Sequence, residues 1–72
     1  MQENESITLT VNGDLRHCSA GLTLAAYLEE SGLAGTRLVA EINGQIVKSA
    51  DFDQYILRSG DIVEFVRFVG GG

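Results

Sequence analysis

Ile62-Val63-Glu64-Phe65-Val66-Arg67-Phe68-Val69 is the most apolar run of the chain, and it leads straight into Gly70-Gly71-Gly72. Its β-branched and aromatic residues, launched by the turn signal Ser59-Gly60-Asp61, predict a strand. Near-continuous apolarity fits a strand covered on both faces, and so one in the middle of a sheet. Along it Val63 and Phe65 share one face with Arg67, while Glu64, Val66 and Phe68 share the other. If Val63 and Phe65 face the core, Val66, Phe68 and Val69 form an apolar patch beside the glycine end, the usual mark of a partner surface. Internal packing of both faces is the competing reading.

Outward from this strand the pattern stays simple. Ile7, Leu9 and Val11 alternate with Thr8 and Thr10, Asn12-Gly13-Asp14 supplies residues that tolerate positive φ, and Leu15 to Cys18 returns as a second strand. Ala20-Gly21 breaks that strand and Thr23 can cap a helix. Leu24, Ala25 and Leu28 give this helix a narrow apolar stripe with Tyr27 on its flank, and Gly32 ends it. Leu38, Ala40 and Ile42 then alternate with Val39 and Glu41, and Asn43-Gly44 repeats the hairpin signal before Gln45-Ile46-Val47. Asp51, Phe52, Asp53 and Tyr55 suggest a turn or a single helical turn. The order condenses to ββαββ with a long last strand. That is an α+β plan: a mixed sheet of four to five strands with one helix on one face. A single helix leaves the other face partly open. Residues 1–6 read as a flexible leader, 7–69 as the domain and 70–72 as a flexible tail.

Seventy-two residues allow one domain. A chain of this size buries only about 60% of the surface its unfolded form exposes, so the core is thin. Even so, 44% apolar residues and no proline describe a folding chain rather than a disordered acidic tail. Ten acidic side chains against five basic ones give a charge of −5. The cations Arg16, Arg37, Lys48, Arg58 and Arg67 are scattered singly, which excludes the basic patch of a nucleic-acid binder. No apolar run approaches a membrane span. The acidic start Met1-Gln2-Glu3-Asn4-Glu5 lacks the regions of a signal peptide. A cytoplasmic protein whose acidic surface suits a basic partner is expected.

Catalytic parts are scarce. One histidine and one cysteine exclude a cysteine-built zinc site and leave no metal-ligand spacing. No phosphate cradle or nucleophile elbow occurs, and so small a domain has little volume for an enclosed active site. The chain is therefore expected not to be an enzyme. Cys18 reads as a small packed hydrophobe in preference to a reactive thiol, and His17 as a surface imidazole at a hairpin edge. Asp51 and Asp53 read as solvated acids in a turn, and Phe52 and Phe65 as core.

The tail is the exception. At a glycine usage of about 7%, three glycines in succession arise by chance roughly three or four times in ten thousand. Glycine gives a thread without Cβ that enters slots too narrow for side chains, reaching about 10 Å beyond the strand. It ends in one useful group, the Gly72 carboxylate, which a partner using ATP can activate as an acyl-adenylate. The alternative is a clipped linker.

The ββαββ order, Gly60-Asp61 before the last strand, Ile42-Asn43 followed by Gln45-Ile46-Val47, and the ending Phe68-Val69-Gly70-Gly71-Gly72 resemble the ubiquitin-like β-grasp sulfur carriers. The resemblance is to the ThiS family of thiamine biosynthesis and spans Ile7 to Gly72. It implies a carrier that binds no cofactor of its own. The Gly72 carboxylate would be adenylated by a ThiF-like enzyme with ATP and magnesium, receive sulfur from a persulfide donor protein, and deliver it as a thiocarboxylate to the thiazole synthase ThiG. Gly70 and Gly71 would thread into each partner, and Val66, Phe68 and Val69 would dock. A MoaD-like small subunit of molybdopterin synthase and a ubiquitin-like protein modifier are the alternatives.

Overall fold

The structure, a computed structural model, describes residues 5–67. Strand β1 (Ser6–Val11) and strand β2 (Asp14–Ser19) form an antiparallel hairpin. Helix α1 (Leu24–Glu30) follows, then strands β3 (Leu38–Ile42) and β4 (Gln45–Val47), a 3-10 turn over Ser49–Asp51, and strand β5 (Ile62–Arg67). The order is thus ββαβββ rather than ββαββ, because Leu38–Val47 is a complete hairpin of two short strands. One five-stranded sheet runs β2-β1-β5-β3-β4, with β5 parallel to β1 and antiparallel to β3. The most apolar strand is central, as its composition predicts.

Both hairpins turn on Asn-Gly pairs with left-handed backbone, Asn12 and Gly13 at φ 49° and 87° and Asn43 and Gly44 at 53° and 86°. Two positive φ values in succession are what a tight two-residue turn between twisted strands demands. Helix α1 is capped at both ends. The Thr23 Oγ1 accepts from the Ala26 amide at 3.1 Å. At the other end Gly32 at φ 77° sends the Leu33 amide to the Leu28 carbonyl at 2.8 Å and its own to Glu29 at 3.2 Å, a Schellman ending. The amides of Leu24 and Ala25 donate to the carbonyls of Tyr55 and Phe52 at 2.8 and 2.9 Å, so the segment after the 3-10 turn satisfies the helix start.

The core lies between α1 and one face of the sheet. Leu9, Val11, Ala40, Ile42 and Val63 from the strands meet Leu24 and Tyr27 from the helix, with Leu57 closing the end. Tyr27 belongs to this core rather than to the flank of the helix: it is buried and stacks on Phe65 with ring centroids 6.4 Å apart. The reading of β5 as covered on both faces is overturned. Val63 is buried and Phe65 half-buried, whereas Ile62, Glu64 and Val66 are exposed. A seven-residue helix covers one face only, and the apolar residues on the other side of β5 produced the continuous pattern.

Candidate functional site

Residues directly opposite each other on neighbouring strands share a face of the sheet. The observed register therefore places Leu15, Thr10 and Ile62 in one row on the face away from α1, Val39 and Val66 in a second, and Glu64, Glu41 and Ile46 in a third. Four of the five large hydrophobic side chains exposed among the described residues stand on this open face: Leu15 and Ile46 at 67%, Val66 at 58% and Ile62 at 54%. Single exposed apolar residues are ordinary; here four of them gather on one face of the sheet.

Strand β5, which carries Ile62 and Val66 and leads to the glycine run, is held in place from both sides. The Asn12 amide donates to the Val63 carbonyl at 2.9 Å, and the Asn12 Oδ1 accepts from the Phe65 amide at 2.8 Å. Across the sheet the Asn43 amide donates to the Ile62 carbonyl at 2.8 Å, and the Asn43 Oδ1 accepts from the Ile62 amide at 2.9 Å. Each turn asparagine thus serves twice, accepting positive φ and hooking the central strand with its side chain. These four bonds and the pairing with β3, whose Leu38 stands opposite Arg67, hold β5 in the sheet.

The start of β5 is anchored by Asp61, the one buried charged side chain among the described residues at 6% exposure. Its carboxylate accepts from the Asn43 amide group at 2.9 Å, the Arg58 backbone amide at 2.9 Å and the Tyr55 hydroxyl at 3.3 Å. Burial raises the pKa of the Tyr55 hydroxyl above its ordinary 10.0, the Asp61 charge and hydrogen bond raise it further, and Arg58 acts in the opposite direction. The sequence showed Asp61 only as a turn residue, since its partners come from two remote segments.

Of the predicted site residues, Val66 lies exposed on the open face, while Phe68, Val69, Gly70, Gly71 and Gly72 fall outside the described residues. Cys18 is half-buried and packs against the core. Burial first, and Glu30 second, raise the pKa of its thiol above the ordinary 9.0, which makes it a poor nucleophile at neutral pH. The His17 ring is exposed and meets the Thr8 hydroxyl at 3.2 Å. Asp51 and Asp53 are exposed. Among the described residues no group of three or more His, Cys, Asp or Glu is placed to hold a metal ion, and no helix is long and apolar enough to cross a membrane.

The model of the ThiS family matches residues 9–72 of this sequence. The chain belongs to the ThiS family. Its fold agrees with the crystal structure of the thiamine biosynthesis protein ThiS from Geobacter metallireducens at a TM-score of 0.79 and 32% identity, covering 92% of this chain and all of that one. The ubiquitin-like β-grasp inferred from the sequence is therefore the fold. The chain is also 38% identical over 64 residues to a thiazole synthase of Paramagnetospirillum magneticum, and 32% identical over 62 residues to a thiazole synthase of Magnetococcus marinus. It spans about a fifth of the length of each of these two, covering 20% and 19%.

Proposed function

We propose that this ThiS-family chain is a sulfur carrier of thiamine biosynthesis, a protein co-substrate and not a catalyst. Its reactive group is the Gly72 carboxylate. A carboxylate resists nucleophiles until one oxygen becomes a leaving group, and a ThiF-like enzyme using ATP and magnesium supplies that by joining it to AMP with release of pyrophosphate. The terminal sulfur of a donor protein's persulfide then attacks the acyl carbon and AMP departs. A thiol opens the resulting acyl disulfide, leaving the thiocarboxylate on Gly72 and a disulfide on the donor side. Thiazole synthase consumes the sulfur, and water restores the carboxylate. Gly70 and Gly71 thread the narrow approach to each partner active site, and Val66 on the open face docks together with Phe68 and Val69, which follow it in the sequence.

The observation that carries this reading is the family match, which runs through the glycine sequence to residue 72. The open apolar face beside β5 supports it, because a carrier exchanged between enzymes needs a contact surface next to its reactive end. The likeness to two thiazole synthases favours the thiamine branch over a MoaD-like role in molybdopterin synthesis. A ubiquitin-like modifier would instead form an isopeptide bond between Gly72 and a lysine.

ATP–pyrophosphate exchange by the adenylating enzyme tests the proposal. The full chain is expected to support exchange, and a chain lacking Gly72 to support none while keeping its melting curve, because the buried core lies between Leu9 and Val63. Undiminished exchange with the shortened chain would refute Gly72 as the activated residue.

A further inference from the structure

The open face carries charge where a simple apolar surface would carry none. In the β3–β5 register Glu41 stands directly opposite Glu64, and Ile46 of β4 is the other neighbour of Glu41. Ile62 and Val66 flank Glu64 along β5 on the same face, and Val39 lies opposite Val66. Two carboxylates therefore sit in the middle of an apolar ring. Like charges directly opposed on neighbouring strands destabilise a sheet, so this pair works against the stability of the free domain. A wholly apolar partner laid over the face would bury both carboxylates without a counter-charge, at a desolvation cost that a paired cation offsets.

We infer that the partner seated on this face inserts one arginine between Glu41 and Glu64, with its own apolar side chains packed around it against Ile46, Ile62 and Val66. Arginine fits better than lysine because its planar fork presents donors to two carboxylates at once, whereas an ammonium is a point charge. The net charge of −5 steers a basic surface toward the carrier in the same sense. The inference rests on the docking role proposed for this face, and it commits to thiazole synthase as the occupant because two thiazole synthases each carry, within their own chain, a segment 38% or 32% identical to this one.

Calorimetric titration of the full chain into thiazole synthase, at low and at physiological salt, tests it with five variants. Glu41→Gln and Glu64→Gln are each expected to weaken binding about tenfold or more and to flatten its salt dependence. The double variant is expected to lose less than the product of the two, because one cation serves both carboxylates. In the free carrier each glutamine is expected to raise the urea midpoint, an opposite shift that mere damage to the fold would not produce. Val66→Ser and Ile62→Ser report on the docking role itself. If they abolish binding while the double glutamine variant keeps wild-type affinity and salt slope, the arginine inference is overturned and the docking face stands. If the serine variants bind like wild type, or if wild type does not bind at all, the docking face falls and the inference with it.

Discussion

Replacing Asp61 by alanine removes the acceptor of three hydrogen bonds at once, two of them at 2.9 Å. Bonds to a charged group contribute about 1.5–3 kcal/mol each, and a buried donor left unpaired costs about 1–3 kcal/mol. Asn43 and Arg58 are exposed residues, so water recovers part of that loss, and the Tyr55 bond at 3.3 Å adds little. The net destabilisation expected for Asp61→Ala is about 2–4 kcal/mol. With 72 residues at about 0.05–0.15 kcal/mol each, the whole domain is stable by about 4–11 kcal/mol, so the variant forfeits a large share. Asp61→Asn retains an acceptor but adds a donor pair, and is expected to cost about half as much. Urea unfolding followed by far-ultraviolet circular dichroism measures both, with midpoints falling and the slope unchanged if only native interactions are lost. A loss below about 1 kcal/mol for Asp61→Ala would refute the view that this carboxylate anchors the start of β5.

Other consequences are equally open to measurement. Thr23→Ala removes the cap on the Ala26 amide and is expected to cost about 1 kcal/mol, lowering the melting midpoint by about 4–8 °C in a scanning calorimeter. The Tyr55 hydroxyl has a raised pKa in the folded state, so its contribution is complete below the unfolded value of 10.0 and is lost as pH climbs through the higher folded value. Alkaline denaturation should therefore begin above about pH 10, and Tyr55→Phe should flatten that limb of the stability profile. Val66→Ser, on a side chain 58% exposed, is expected to change stability by less than about 0.5 kcal/mol, which denaturant unfolding checks, while weakening partner binding at least about tenfold.

Local signals made most of the scaffold legible. Asn12-Gly13 and Asn43-Gly44 announce two-residue turns because few other residues accept successive positive φ, and Thr23 and Gly32 bracket the helix for equally local reasons. The central place of β5 followed from its composition. What escaped were features made by residues distant in sequence. Asp61 looks like any turn acid until Asn43 and Tyr55 close over it. Tyr27 sits off the narrow helical stripe, yet its ring reaches Phe65. The opposition of Glu41 and Glu64 exists only in the register of β3 against β5. The coverage of β5 is not legible in the sequence because periodicity cannot separate a strand buried on both sides from one whose outer apolar residues stay exposed. Ile62 and Val66 are of the second kind.

The carrier role is tested most directly by the intact mass of the chain after incubation with the adenylating enzyme, magnesium ATP and a persulfide donor, followed by fragmentation from the C-terminus. One oxygen is expected to be exchanged for sulfur, on Gly72. An unchanged mass with active partners, or sulfur found on Cys18 with the terminal carboxylate intact, would contradict it.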